Sequence, residues 1–304
     1  MTEPAWLRAP VRERVRVMAV QYRQCRIRAY AEFVERIEYY CTVAADYAAD
    51  FLCFPEFMAL QLLSLERERL PADQAMQRMG EHAAELHALF ARMALSHRLN
   101  LISGAYPRVC ADGRVRNLAS VYGRDGTHSE RAKIHVTPSE ASVWGVVGGT
   151  LADTEVVHTD CGPIGVMICY DSEFPELARR HVDQGALIEF IPYCTDERQG
   201  HLRVRYSAQA RCIENQSYAV LAGNVGHLPG VVNMDIQYAE SAVLTPCDFP
   251  FARDGIAAQA NPDAEAVIMA DLDLAALVRA RHSGTVRNLA DRRSDLYALR
   301  WSAD

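Results

Sequence analysis

The chain of 304 residues lacks any uninterrupted apolar run long enough to cross a bilayer. Its opening, Met1-Thr-Glu-Pro-Ala-Trp-Leu-Arg8, lacks the apolar core of a secretory leader. A cytoplasmic protein with no membrane partner is expected. It also lacks an excess of positive charge: 32 Lys and Arg stand against 39 Asp and Glu, a formal net charge of -7. Phosphate neutralisation needs clustered basic surplus, so a nucleic-acid partner is not expected. The basic runs Arg198–Arg211 and Arg287–Arg293 are interleaved with acids and read as solvated or internally paired. No Cys-x-x-Cys pair, metal-spaced His cluster or Gly-rich phosphate loop occurs, so neither a metal nor an organic cofactor is expected. The nine cysteines, at 25, 41, 53, 110, 161, 169, 194, 212 and 247, are odd in number and widely spaced. That pattern fits reduced thiols, most of them small buried hydrophobes, better than a disulfide framework.

There are no repeats, low-complexity segments or linkers. What remains is a rhythm of strands and helices. Arg14–Tyr22 alternates and then runs apolar, as an opening strand would. Phe33, Ile37, Tyr40 and Ala44 recur at helical spacing, and so do Met79, Ala83, Leu86, Phe90 and Met93. Phe51–Phe54 reads as a strand buried on both faces, and Leu99–Tyr106 as another strand. Val115–Gly123 and Ser129–Val136 form a strand pair turning at Arg124-Asp-Gly126. Strand, helix, strand, helix, strand follow over Pro163–Cys169, Glu176–Gln184, Ala186–Pro192, Leu202–Gln216 and Ser217–Gly223, then a strand over Ala266–Leu272 and a helix over Leu274–Ala280. The class is α/β. An α-β-β-α sandwich and a single doubly wound sheet both satisfy the pattern. The expected organisation is an extended tail at 1–13, one domain at 14–286 and a polar tail at 287–304 that packs across a dimer partner.

Four reactive side chains sit just beyond buried-strand signals: Glu56, Lys133, Cys169 and Asp196. In open α/β sheets, ligands gather at the carboxyl ends of strands. Cys169 stands between a strand and a helix opened by Pro175, the layout of a nucleophile elbow, with the Tyr170 backbone N–H aimed where an oxyanion would form. Glu56, in Phe54-Pro-Glu-Phe57, has apolar neighbours that disfavour its charged form, so it could take and return a proton near neutral pH. Lys133 stands out because the chain is otherwise Arg-dominated, and it could steady a developing alkoxide. Glu140 lies within reach to brace it. Taken singly, each also reads as an ordinary core cysteine, loop glutamate or solvated lysine.

Phe54-Pro-Glu56, then Arg131-Ala-Lys-Ile-His135 with Glu140, then Ile168-Cys-Tyr-Asp-Ser-Glu-Phe-Pro175 resembles the three-part signature of the nitrilase, or carbon–nitrogen hydrolase, superfamily, in the family's order. Phe190–Gly200, Val204–Arg211 and Thr245–Phe251 further resemble a subgroup often fused to an N-terminal acetyltransferase-like domain, which these residues do not contain. The resemblance implies an α-β-β-α sandwich, a homodimer or higher homo-oligomer, and an amide-like small-molecule substrate. It implies that Glu56 is the general base, that Cys169 is the nucleophile, that Lys133 and the Tyr170 N–H stabilise the tetrahedral intermediate, and that Glu140 is a supporting glutamate. Tyr170-Asp171 followed by Phe174-Pro175 is similar to the amidase and carbamoylase branches; nitrilases more often place Trp and Glu after the cysteine. Amide or N-carbamoyl hydrolysis through a thioester is therefore expected, with nitrile hydrolysis, acyl or carbamoyl transfer to an amine, or a non-catalytic binding role as alternatives. Asp196, Arg198 and Gln61 are candidate substrate contacts, though the arginines at 198, 203 and 205 could instead pair with Asp196, Glu197 or Glu214. His135 and His201 read as structural rather than as partners of a Cys–His dyad, His135 because strand alternation would turn it away from Lys133.

Overall fold

A computed structural model describes residues 3–302. Residues 1–2 and 303–304, the outer ends of the two expected tails, lie outside the described residues. The strands are β1 (Arg14–Gln24), β2 (Phe51–Cys53), β3 (Asn100–Val109), β4 (Val115–Tyr122), β5 (His128–Ala132), β6 (Val157–Thr159), β7 (Gly162–Val166), β8 (Ile188–Tyr193), β9 (Tyr218–Gly226), β10 (Ala242–Leu244), β11 (Ile256–Gln259) and β12 (Ala266–Asp273). The helices are α1 (Tyr30–Asp46), α2 (Ala72–His97), α3 (Pro138–Trp144), α4 (Pro175–Asp183), α5 (Arg198–Asn215) and α6 (Leu274–Ser283).

The strands form two halves. One runs β12-β1-β2-β3-β4-β5, with β1, β2 and β3 parallel and the outer strands antiparallel. The other runs β11-β10-β9-β8-β7-β6, with β7, β8 and β9 parallel. They are spliced where the end of β1, Tyr22–Gln24, pairs in parallel with Asn224–Gly226 of β9. Period-two alternation explains the layering. Val15, Val17 and Ala19 of β1, with Phe51 and Cys53 of β2, face the second sheet. There the Phe51 and Phe190 rings meet at 5.1 Å between centroids. Met18, Val20, Tyr22, Leu52 and Phe54 point the other way, against Phe33, Ile37 and Tyr40 of α1 and Met79, Leu86 and Phe90 of α2. Leu177 and Ala178 of α4 and Val204, Ala208 and Cys212 of α5 cover the far face of the second sheet. The architecture is the expected α-β-β-α sandwich.

Several boundaries differ from the sequence reading. β7 ends at Val166, not at Cys169, because the chain turns into a 3-10 segment over Cys169–Glu173 before α4. β5 ends at Ala132, so Lys133 and His135 lie in a loop and strand alternation does not govern where His135 points. The segment before β1 is not extended throughout: Ala5–Leu7 form a 3-10 turn that buries Trp6 against Val182 and Leu289. The C-terminal segment lies along its own chain, with Leu289 buried and Arg292 bonded to Asp183 at 2.8 Å. Three strands, β6, β10 and β11, escaped the sequence reading because three or four residues give too short a periodic signal.

One glycine decides how close the Glu56 loop comes to the sheet. The register of β3 shifts between Ile102 and Ala105, and Gly104 within that bulge has φ +75°. A β-carbon there would lie 2.0 Å from the Pro55 carbonyl oxygen and 2.9 Å from its carbon. Both the left-handed backbone and the clash with main chain exclude a side chain. Gly104→Ala should therefore destabilise the fold by about 2 kcal/mol or more, seen as a lowered Tm, and should push Glu56 out of position. An unchanged melting curve with full activity would contradict this packing.

Candidate active site

Four loops converge at the carboxyl ends of the central strands. Glu56 leaves β2 and is drawn across the junction between the two halves: Asn224 of β9 donates its Nδ2 to the Glu56 backbone oxygen at 2.6 Å. Phe57 takes a left-handed φ of 62°, and its N–H donates to the Ala105 carbonyl at 2.6 Å. Lys133 follows β5; its N–H donates to the Asn117 carbonyl at 2.9 Å and its carbonyl accepts from Gly149 at 2.8 Å. Glu140 belongs to α3, where Thr137 and Glu140 form a reciprocal capping box, Glu140 N–H donating to Thr137 Oγ1 at 3.2 Å and Thr137 N–H to Glu140 Oε2 at 3.0 Å. Cys169 opens the turn after β7.

The side chains meet in a nearly solvent-free cluster. Lys133 Nζ donates to Glu56 Oε1 at 2.8 Å and to Glu140 Oε2 at 2.7 Å, with all three side chains at 1–3% exposure. Asn117, wholly buried on β4, donates its Nδ2 to Glu56 Oε1 at 2.8 Å and to Glu140 Oε1 at 2.9 Å. The Cys194 N–H, just past β8, donates to Glu56 Oε2 at 3.1 Å. The Cys169 thiol is directed to the Cys194 carbonyl at 3.7 Å. An ammonium has three N–H donors; two are spent on carboxylates, which leaves one for a substrate oxygen.

Opposing forces set the protonation states. Burial pushes the Glu56 carboxyl up to about 7, against the lowering pull of Lys133. Burial likewise tends to raise Glu140, but the Lys133 ammonium, Thr137 and Asn117 hold it below the ordinary value. Burial disfavours the Lys133 ammonium, yet the charges of Glu56, Cys169 and Glu140 outweigh it and raise its pKa. Burial, then the charge of Glu56, lifts the Cys169 thiol well above its usual range. The resting cluster is thus a thiol beside a carboxyl group poised near neutrality.

The backbone at Cys169 is left-handed, φ 50°, a conformation an L-residue holds at a cost of about 1–3 kcal/mol. The turn is braced from within. Ser172 Oγ donates to the Cys169 carbonyl at 2.7 Å. Buried Asp171 accepts from the Ile168 N–H at 3.1 Å and, across the gap, from the His135 N–H and Nδ1, both at 2.8 Å. The His135 ring stacks on Phe174 at 3.6 Å. His135 therefore ties the lysine loop to the cysteine turn, a structural role. His201 contacts Tyr193, and burial pushes its pKa down to about 4.

A cleft of about 660 Å³ opens onto Glu56, Lys133, Glu140, Cys169 and Tyr170, and its mouth is formed by Glu173, Asp196, Glu197 and Arg203. Asp196 is on this wall, as expected. Two expected substrate contacts are not. Gln61 is fully buried within a 3-10 segment, accepting from the Tyr22 hydroxyl at 2.5 Å and donating to the Cys25 carbonyl at 2.7 Å. It is neither in the cleft nor on a helix surface, because Leu60, Leu62 and Leu63 drag the whole segment into the core. Arg198 opens α5 and lines a neighbouring groove with Arg23 and Asp235 instead. The arginine that lines the cleft is Arg203, 3.5 Å from Glu173, while Glu214 pairs with Arg211.

The sequence reading passed over Asn117, Thr137, Cys194 and Asn224. Thr137-Pro-Ser-Glu140 is a capping-box pattern that could have marked Glu140. Lys133 carries a stronger signal than its surroundings suggest: it is the single lysine in the chain.

A fold of two packed sheets with helices outside, and a buried glutamate–lysine–cysteine cluster at their junction, define a class. The carbon-nitrogen hydrolase family profile matches residues 16–282, and the chain belongs to that family. "Probable hydrolase YhcX" of Bacillus subtilis (strain 168) is 46% identical over 287 residues, covering 94% of this chain and 55% of that protein. The chloroplastic omega-amidase of Arabidopsis thaliana is 26% identical over 226 residues, 72% of this chain and 58% of that protein. The chain thus spans somewhat over half the length of these two relatives. The crystal structure of a carbon-nitrogen hydrolase from Helicobacter pylori G27 superimposes with a TM-score of 0.76 at 21% identity, over 93% of this chain and 97% of that one. Among the described residues, no helix is long and apolar enough to cross a membrane.

If Asp171 clamps the lysine loop to the cysteine turn, Asp171→Ala should lower kcat by about 10-fold or more while leaving the far-UV spectrum native. Full activity would show that the clamp is dispensable.

Proposed function

We propose that the protein hydrolyses a non-peptide C–N bond of a small amide or N-carbamoyl compound through a thioester on Cys169. The observation that carries this reading is the meeting of the Cys169 thiol, the near-neutral Glu56 carboxyl and the Lys133 ammonium at the floor of one cleft. Glu56 takes the thiol proton as sulfur bonds to the substrate carbon. The C=O electron pair moves onto oxygen, where the spare Lys133 N–H and the Tyr170 backbone N–H receive it. Collapse expels ammonia or an amine, which takes the proton back from Glu56. Glu56 then deprotonates a water that attacks the thioester, and the acid product leaves with Cys169 restored. Glu140 holds Lys133 in place. Asp196, on the cleft wall, is the candidate contact for the distal end of the substrate.

The relative named as an omega-amidase supports amide rather than nitrile chemistry. The length of the Bacillus relative beyond the matched region fits the resemblance to a subgroup with a further fused domain. Leu296, Tyr297 and Leu299 stand exposed on the C-terminal segment, which supports a homodimer through that surface. Nine free cysteines suit a reducing cytoplasm.

Incubation with a panel of small amides and N-carbamoyl compounds, followed by intact-mass analysis, should reveal an acyl or carbamoyl adduct on Cys169. Cys169→Ala should lose both adduct and turnover. Turnover retained in that variant would overturn the mechanism. Because the base must be ionised and its pKa is about 7, kcat/KM should fall tenfold per unit as pH drops below that value. A profile flat from pH 5 to 8 would remove Glu56 from the role.

A further inference from the structure

Asn117 touches every charged member of the cluster and carries no charge itself. Its Nδ2 places one hydrogen on Glu56 Oε1 at 2.8 Å and the other on Glu140 Oε1 at 2.9 Å, while its backbone carbonyl receives the Lys133 N–H at 2.9 Å. A carboxylate oxygen offers about two lone-pair sites. On Glu56 Oε1, Asn117 and Lys133 Nζ occupy both. On Oε2, the Cys194 N–H occupies one. The open site on this carboxylate is therefore on Oε2.

A second observation shows what this arrangement demands. Asn117 Oδ1 is buried and has no hydrogen-bond partner among the described residues. Leaving such an acceptor unmet costs about 1–3 kcal/mol. The opposite amide orientation would aim that oxygen at two carboxylate oxygens, so the two acids fix the amide with its donors inward. The orphaned carbonyl is the counterpart of donors committed to Glu56 and Glu140.

We propose that Asn117 is a positioning residue that saturates Glu56 Oε1, so that the proton leaving Cys169 Sγ is accepted on Glu56 Oε2. The S–H bond breaks as the Oε2–H bond forms, and the same oxygen returns the proton to the departing amine. This rests on the reading of Glu56 as general base. The ionisable groups acting on Glu56 are Lys133 from the loop after β5, Glu140 from α3 and Cys169 from the turn after β7, and Cys194 lies beside it after β8. All of these remain when Asn117 is replaced. What changes with an uncharged replacement is the loss of a hydrogen bond to the charged form, which raises the proton affinity of Glu56; an aspartate adds a further carboxylate that acts in the same direction. The acidic limb of any step that needs Glu56 ionised should then move to higher pH.

The test needs no substrate. Iodoacetamide alkylation of Cys169 in the full chain, followed from pH 5 to 9 and read on the Cys169 peptide by mass spectrometry, reports how readily the thiol loses its proton. Asn117→Leu, Asn117→Asp and Glu56→Gln are compared with the native chain. Asn117→Leu and Asn117→Asp should each shift the acidic limb up by about one unit, a roughly tenfold slower reaction at pH 6. Glu56→Gln should abolish the limb. Rates lowered equally at every pH, with the limb unmoved in both Asn117 variants, would mean a merely structural role and overturn the proposal. If Asn117→Leu fails to fold by circular dichroism, the smaller Asn117→Ala, which adds no charge, decides alone. A native limb in Glu56→Gln would instead defeat the general-base reading itself, a distinguishable result.

Discussion

The Lys133 ammonium, closed between the carboxylates of Glu56 and Glu140 with almost no solvent contact, is the interaction on which the rest of the molecule is organised. An ammonium taken from water without partners would cost several kcal/mol, and removing one partner from a buried pair typically costs about 3–5 kcal/mol. The cluster is tolerable only because each partner arrives on a separate element and every carboxylate oxygen of Glu56 and Glu140 accepts at least one hydrogen bond. Glu140 is fixed by a helix cap, Glu56 by a loop held from both sheets, and Lys133 by main-chain bonds on either side. The same constraint produces reactivity. Burial and the Lys133 charge pull Glu56 in opposite directions, and their near balance leaves a carboxyl group that can exchange a proton at neutral pH.

Around that cluster the backbone accepts strain where chemistry needs it. Cys169 and Phe57 both hold left-handed conformations without being glycine, and Gly104 lets a main-chain carbonyl pass where no side chain could fit. Asp171 and Ser172 offset the strain at the cysteine turn through hydrogen bonds that also reach the lysine loop. Phe57, Cys169 and Asn233, three of the non-glycine residues held in left-handed backbone, line one cleft, while others such as Arg98 and Gln216 cap helices elsewhere.

The layering was legible because β1 and β2 alternate faces so strictly, and because α1 and α2 carry apolar residues at helical spacing. The meeting of Glu56, Lys133 and Cys169 was legible because Glu56 and Cys169 come at the ends of strand signals and Lys133 lies on the return of a hairpin. What stayed hidden depended on contacts between distant segments. Asn117 looks like any polar residue in a strand until Lys133 and Glu140 are folded against it. Gln61 was misjudged because polarity suggested an open face, whereas the leucines around it decide burial. Arg198 was misjudged because α5 begins at that residue and carries Arg203, five residues further on, to the cleft.

A chain that meets almost every need for positive charge with guanidinium keeps one lysine, at residue 133. Arginine's planar fork is broader and cannot sit as a compact point charge between two carboxylates. Acylating reagents and amine-directed crosslinkers will therefore find no lysine on the surface of this protein. The single ε-amino group is 1% exposed, so slow modification there would report the opening of the cluster itself and give a chemical clock for local unfolding of the cleft floor.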